Sequence, residues 1–257
     1  MSARRDQRIR APVLGAPIDV IDESAALHRI FDWASSRQSR VVCCCNVHSV
    51  VSSGRDRAFA HAITSADLVT PDGAPVAWVL RRQGHLSQQH IPGPDLMAAC
   101  LARAATMALP VAFIGGSEAT LAGLCRNSVA RWPGLHIAAH IAPPFRSWSA
   151  QEDDAMVAQL NASGARLVFV GLGCPKQELW MAAHRAQVRA VMLGVGAAFD
   201  FHAGTLQRAP RWMQRGGLEW LHRLGQEPAR LWWRYLDTNS AFVARYAWTW
   251  LRQRLKR

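Results

Sequence analysis

The segment Val168-Phe169-Val170-Gly171-Leu172-Gly173-Cys174-Pro175-Lys176-Gln177-Glu178-Leu179-Trp180 constrains this chain more than any other. A β-branched and aromatic run of this kind reads as a strand covered on both faces. The glycines that end it let backbone approach a ligand closely. Pro175 suits a first helical turn, where an N–H would be unpaired anyway. The free N–H groups and dipole of such a helix start favour an anion, so Lys176, Gln177 and Glu178 stand where a phosphorylated ligand would be held. The same pattern also describes a plain strand-turn-helix connection with Lys176 and Glu178 merely solvated, and by itself it leaves both readings open.

The rest of the chain repeats the strand-helix rhythm. Apolar runs of strand length lie at Val41 to Cys45, Leu68 to Thr70, Val111 to Gly115, Ile137 to Ala142, Leu167 to Gly171 and Ala190 to Val195. Helix-length stretches such as Asp95 to Ala105 and Glu118 to Arg131 separate them. This alternation predicts βαβ units and a mainly parallel sheet. Ligands of open α/β sheets bind beyond the carboxyl ends of the strands. The expected rim is therefore Asn46 and His48, Asp72-Gly73, Gly115-Gly116-Ser117, Pro143-Pro144, Gly173 to Gln177, and Gly196 to Asp200.

After Asp200 the character changes. No strand-like run follows, and Glu227-Pro228 divides the remainder into helices, of which Ser240 to Arg257 is the clearest. From Thr205 onward ten arginines and one lysine face only Glu219, Glu227 and Asp237, so this fifth of the chain holds most of the net charge of +12. Six of the eleven tryptophans are here as well. Arginine beside tryptophan suits a membrane interface or nucleic acid. In the last helix Ala244, Trp248, Leu251 and Leu255 share one face, with Arg245, Arg252 and Lys256 as the adjacent stripe. The helix is either docked on the core with its arginines exposed or, the favoured reading, interfacial.

At 257 residues the chain can bury one large core and carry a small appendage, divided here as 1–204 and 205–257. Its six cysteines show no CxxC pairing, and Cys43-Cys44-Cys45 lies in an apolar strand, which favours buried free thiols over metal or disulfide. Arg4, Arg5, Arg8 and Arg10 are not followed by the apolar core of a signal peptide, and no run reaches the length of a membrane span.

Asp72 is the best candidate base, a carboxylate on a loop at a strand end, although Asp-Gly is also among the commonest turn pairs. Asn46 can hydrogen-bond a polyhydroxyl ligand or cap the next helix. Gly115-Gly116-Ser117-Glu118 is like a loop that holds a diphosphate on backbone amides, without being a complete nucleotide fingerprint. Asp200-Phe201-His202 lacks companions at ligand spacing, so a structural or substrate-orienting role is favoured over a metal site.

Taken together these stretches resemble the WecG/TagA/CpsF family of bacterial glycosyltransferases. The likeness runs from Leu14-Gly15-Ala16-Pro17-Ile18-Asp19 through Asp72-Gly73, Gly93-Pro94-Asp95-Leu96, Pro143-Pro144-Phe145 and Gly173 to Glu178. It is strongest in Gly194 to Gly204, Arg208-Ala209-Pro210, Gly217 to Leu221 and Arg223-Leu224 to Glu227-Pro228. The resemblance implies a Rossmann-like α/β core, its mainly parallel sheet covered by helices on both faces, plus a C-terminal helical membrane-binding appendage. It implies an inverting, metal-independent transfer, without a cofactor, from a nucleotide-sugar donor to a sugar on an undecaprenyl-diphosphate carrier. The site would lie at the cytoplasmic face of the inner membrane, with the protein attached peripherally. Uridine donors are favoured, with GDP-mannose also found among relatives. Asp72 then resembles the family's general base, Gln177 its sugar-contacting amide and Asn46 the polar residue of the first strand's loop. The arginines reaching a diphosphate fall among Arg208, Arg211, Arg223, Arg230 and Arg234. Two positions depart from the pattern: Cys44 replaces the usual threonine and His90 the usual arginine, so a permanent forked donor is lost there unless a protonated His90 substitutes.

Two other classes stand beside this one. A basic nucleic-acid-binding α/β protein would explain the tail but leave the strand-end loops idle, and no nucleic-acid module is recognisable. An inactive scaffold of the same fold would make Cys44 and His90 marks of decay. An appendage that docks on a membrane can also dock on a second copy, so a homo-oligomer stays open.

Overall fold

The computed structural model describes residues 8–255, which leaves Arg4, Arg5 and Lys256 outside the described residues. The chain opens with an antiparallel hairpin of β1 (Arg10–Val13) and β2 (Ala16–Asp19). Leu14 and Gly15 turn it at φ 50° and 100°, the positive values a tight two-residue hairpin needs. The sequence reading misses this hairpin because Pro12 and Pro17 interrupt strands too short to show period-two alternation. Buried Asp19 clips it to the sheet, accepting from the backbone N–H of Val69 at 2.6 Å and from Arg8 Nη2 at 2.8 Å.

The expected rhythm then follows in order. It comprises α1 (Glu23–Ser35), β3 (Arg40–Cys45), α2 (Val47–Ser53), α3 (Arg57–Ser65), β4 (Leu68–Pro71) and α4 (Ala74–Arg82). Next come α5 (Gly93–Thr106), β5 (Val111–Gly115), α6 (Glu118–Arg131), β6 (Ile137–Ile141), α7 (Ala150–Ala162) and β7 (Leu167–Gly171). The core closes with α8 (Lys176–Ala183), β8 (Val191–Gly194) and α9 (Ala198–Ala203). The strands form one sheet in the order β4-β3-β8-β7-β5-β6, and every pairing is parallel.

Alternation within the strands builds a core on each face. Val41, Cys43 and Cys45 join Val168, Val170 and the helices α2, α3, α4, α7 and α8. Val42 and Cys44 point the other way, with Phe113, Phe169 and the helices α1, α5, α6 and α9. The cysteines are free thiols, and the three in β3 are buried.

The carboxyl ends of β5 and β7 approach more closely than side chains permit. A Cβ on Gly115, where φ is 122°, would lie 2.5 Å from the Gly171 carbonyl. One on Gly171 would lie 2.6 Å from Phe199 Cδ2.

Three helices complete the chain: α10 (Arg211–Arg215), α11 (Glu219–Gln226) and α12 (Pro228–Leu255). The last helix begins at Pro228 rather than at Ser240, because Ser240 sits on its exposed side and does not break the helix. Its inner face, with Leu231, Thr238 and Phe242 buried, packs against α2. Arg55 chelates Asp237 with both guanidinium ends. The Arg245 guanidinium sits at Gly54, beyond the carboxyl end of α2, where the helix dipole favours a cation. Tyr246 meets Trp78 of α4 edge-on with ring centroids 4.9 Å apart.

The outer face is a correction to the docked reading. Trp232, Trp233, Leu236, Trp248, Leu251 and Leu255 are all exposed. The face expected to pack on the core or lie in an interface therefore faces solvent, and it is apolar. No helix among the described residues is long and apolar enough to cross a membrane.

Gly115→Ala should therefore cost about 3 kcal/mol, from a strained φ plus a backbone clash. Gly164→Ala, at a positive φ with nothing within 4 Å, should cost about 1 kcal/mol. Urea midpoints measure both, and equal losses would show that the pinch is not sterically required.

Candidate active site at the carboxyl edge of the sheet

A cavity of about 1290 Å³ opens along the carboxyl edge of the sheet. Every strand of the sheet contributes to its wall, through Asn46, Asp72, Gly116, Pro143, Gly173 and Gly196 among others. On the far side Arg223, Arg230, Arg234, Tyr235 and Phe242 of α11 and α12 close it. The volume exceeds the usual range for one small ligand.

Asp72 ends β4, its backbone N–H bonded to the carbonyl of Cys45 at 3.0 Å. Gly73 follows at φ 87° and starts α4, so the turn and the carboxylate belong to one device. Asn46 serves two purposes at once. Its Oδ1 caps α2 by accepting from the Ser49 N–H at 3.1 Å, while its Nδ2 approaches Asp72 Oδ2 at 3.5 Å. Burial pushes the Asp72 carboxyl pKa up to about 6, with Glu219 and Asp95 adding repulsion and Asn46 and Arg223 opposing it. A carboxylate so tuned can accept a proton near neutrality.

The start of α8 differs from a simple phosphate cradle. Pro175 occupies the cap position, ahead of the first turn. Lys176 lies with Nζ 3.6 Å from the centre of the Trp148 ring. That ring is held by its indole N–H donating to Asp153 at 3.1 Å, and Asp153 also accepts from Trp180 at 2.8 Å and faces His184 Nε2 at 3.0 Å. Gln177 and Glu178 are buried rather than solvated and form the cavity floor.

Among the other expected site residues, Cys44, Asn46, Gly116, Lys176, Gln177 and Glu178 line the cavity, as do Arg223, Arg230 and Arg234. Gly115 does not, because its role is the strand pinch. Arg208 is drawn away from the wall into ion pairs with Asp95 and, at 3.4 Å, with Glu219. Arg211 is exposed and lies off the cavity. His90 also lies off it, and burial lowers its pKa. Arg81 lines the wall instead.

The sequence reading missed Trp78, Arg81, Trp148, Glu219 and Tyr246 as wall residues. Only Glu219 lay in a quoted stretch, and none carries a local signal. Asp200 does line the cavity, with a carboxyl pKa raised by burial. Among the described residues no group of three or more His, Cys, Asp or Glu is placed to hold a metal ion.

Asp72 also makes a stability prediction. Its folded pKa lies above the unfolded value of about 3.9, so the folded state binds this proton more tightly. The cost of the buried charge is absent below that value and grows as pH rises through about 6. Asp72→Asn should raise Tm by a few degrees at about pH 8 and leave it unchanged near pH 4. An increment independent of pH would show that the carboxyl is not desolvated.

The family comparison agrees with the geometry in extent as well as in kind. The model of the glycosyl transferase WecG/TagA/CpsF family matches residues 11–256, from the first hairpin through α12. The chain belongs to the WecG/TagA/CpsF family of glycosyltransferases.

Proposed function

We propose that this enzyme makes part of a cell-surface polysaccharide by inverting, metal-independent transfer of a hexose, of N-acetylmannosamine or another type. The donor is a nucleoside-diphosphate sugar, a uridine one first, and the acceptor is a sugar on undecaprenyl diphosphate. The observation that carries this reading is one cavity holding a tuned carboxylate, Asp72, opposite a wall of three arginines.

In this reading the acceptor hydroxyl attacks the anomeric carbon from the face opposite the leaving diphosphate. Asp72 takes the hydroxyl proton as the new C–O bond forms, and Asn46 steadies the carboxylate. The bond to the nucleoside diphosphate breaks, and Arg223, Arg230 and Arg234 neutralise the charge that develops on the leaving group. Fixed guanidinium groups need no reorganisation at that moment, which is how protein side chains alone can do the work.

The same reading makes residues 205–257 an appendage to a core of residues 1–204, attached peripherally to the cytoplasmic face of the inner membrane. Its support is the outer face of α12, where Trp232 is 54% and Trp233 73% exposed. Tryptophan belongs at the headgroup level of a bilayer. A nucleic-acid surface would instead expose its cations, whereas Arg223 and Arg234 are turned inward to the cavity.

Release of nucleoside diphosphate from a panel of nucleotide sugars, with and without a lipid-diphosphate-linked acceptor and EDTA, tests the chemistry. One donor should give acceptor-dependent, EDTA-insensitive release, with kcat/KM rising through about pH 6. Asp72→Asn should lower kcat by about 10²-fold or more and leave donor affinity within about threefold. Normal turnover in that variant would remove Asp72 from the mechanism. For the membrane reading, the pair Trp232→Glu and Trp233→Glu should reduce flotation with phosphatidylglycerol vesicles more than about tenfold without changing Tm. Undiminished flotation would assign the exposed face to another partner.

A further inference from the structure

The cavity has two ends of different chemistry, and α12 spans both. Its residues Arg230, Arg234, Thr238, Phe242 and Tyr246 line the cavity at four-residue spacing, one row of a helix face. The row passes from two guanidinium groups to two aromatic rings, and Arg234 and Tyr246 lie about 18 Å apart along the axis. At the aromatic end Val243 and Ala247 join the wall. Beside them stands Trp78 of α4, which lines the cavity while 43% exposed and meets Tyr246 edge-on.

The helix α4 brings one further cation to this end. Arg81 stands one turn on from Trp78, on the same face, and also lines the cavity. Its Nη1 donates to the Gln88 carbonyl at 2.8 Å. Gln88 is itself buried and fixed, its side-chain amide exchanging hydrogen bonds with the Ile21 backbone at 2.7 and 3.0 Å, so the loop holds the arginine rather than the reverse. Among the described residues no other hydrogen bond or ion pair engages Arg81, and its Nε and Nη2 are not buried. Burial lowers the His90 pKa, with Glu219 and Asp95 opposing and Arg81 and Arg208 adding to it, which places these four charges in one corner of the molecule. Arg208 pairs with both Asp95 and Glu219 there, so the nearby acids are already answered and Arg81 keeps its charge for a ligand.

We infer that this end is the acceptor's subsite: Arg81 holds the diphosphate that stays on the acceptor, and the apolar wall of Trp78, Val243, Tyr246 and Ala247 takes the start of its polyprenyl chain. The inference rests on the transferase reading for its ligand. An inverting displacement brings the acceptor to the face of the anomeric carbon opposite the leaving group, so the acceptor's own diphosphate needs a cation apart from Arg223, Arg230 and Arg234. Arg81 is such a cation, on a different element, and a guanidinium with free edges suits a diphosphate. The spacing agrees. Arg81 lies seven residues along α4 from Ala74, a rise of about 10 Å, and helical side chains lean back toward the N-terminus. The guanidinium therefore reaches toward the turn that carries Asp72, leaving room for a sugar between base and diphosphate.

Titration calorimetry on the full chain tests this, with farnesyl diphosphate as a short polyprenyl diphosphate, farnesol as its uncharged counterpart and UDP for the donor's diphosphate. Arg81→Gln should weaken farnesyl diphosphate about tenfold, while UDP and farnesol change less than about threefold and Tm is unchanged. Arg81→Lys, which keeps the charge but not the fork, should lose less than Arg81→Gln. Trp78→Ser should weaken farnesyl diphosphate and farnesol alike and leave UDP as it is. An equal or greater loss for UDP in Arg81→Gln would assign the arginine to the donor and overturn the inference. So would unchanged farnesyl diphosphate affinity in that variant, a joint fall in farnesol affinity and Tm, which marks a strut of the 83–92 loop, or a wild type that binds UDP but not farnesyl diphosphate. If Arg81→Gln does not fold, Arg81→Lys decides: a loss confined to farnesyl diphosphate supports the subsite, and no loss overturns it. Arg81-dependent binding of farnesyl diphosphate by a protein that binds no nucleotide would keep the subsite and sink the transferase reading.

Discussion

Parallel pairing is the constraint on which the rest depends. Because β3 through β8 all run the same way, every strand must be followed by a crossover helix, and all six carboxyl ends fall on one edge. Strand interiors here are too apolar to carry chemistry, so polar residues collect in the turns beyond that edge. Asn46 and Asp72 belong to different strands yet come within 3.5 Å of each other because β3 and β4 are neighbours in register, with Cys45 opposite Pro71. The pinch between Gly115 and Gly171 likewise follows from register, since these two residues are paired.

The C-terminal helices act on that edge rather than merely covering it. Gly217 approaches so closely that a Cβ there would lie 2.9 Å from Ala74 Cβ, directly beside the turn that carries Asp72. Arg208 ties Asp95 of the core to Glu219 of α11. Glu219 is, after burial, the largest influence raising the Asp72 pKa. The proton affinity of the site carboxylate therefore depends on the docking of the tail, and so does the presence of Arg223, Arg230 and Arg234 in the wall. Neither half of the chain encloses the cavity alone.

How much of this was legible follows from range. Five of the six sheet strands could be read because each is buried along its length and so writes a continuous apolar run into the sequence, while β6, at the sheet edge with His140 exposed, is still apolar enough to be read. The hairpin before them could not, since two strands of four residues containing Pro12 and Pro17 leave no pattern. The rim positions Asn46, Asp72 and Gln177 were legible as such because topology sends the strand ends to the edge, and all three line the cavity. Tail arginines were legible only as a group. Pairing with Asp95 removes Arg208 from the wall, and no spacing rule links those positions across the chain. At Glu178 the sequence left a solvated and a ligand-holding reading open, because its burial is decided by α3, β3 and β8 packing against α8.

The helix α12 poses the sharpest physical question, because it is apolar on both sides. Its inner side is shared between the core, where Leu231, Thr238 and Phe242 are buried, and the cavity wall. Folding of the chain thus gives no reason for Trp232, Trp233, Leu236, Trp248, Leu251 and Leu255 to be exposed on the other side. Scattered exposed apolar residues need no explanation, but these three tryptophans and three leucines exposed on one helix do. In the proposed reading lipid covers the outer face, and this has a simple consequence for the proposed chemistry. The residues Tyr235, Phe242 and Tyr246 that line the cavity belong to the same helix as the stripe, so an acceptor anchored in a bilayer would reach Asp72 along the wall of a helix already in contact with its own membrane.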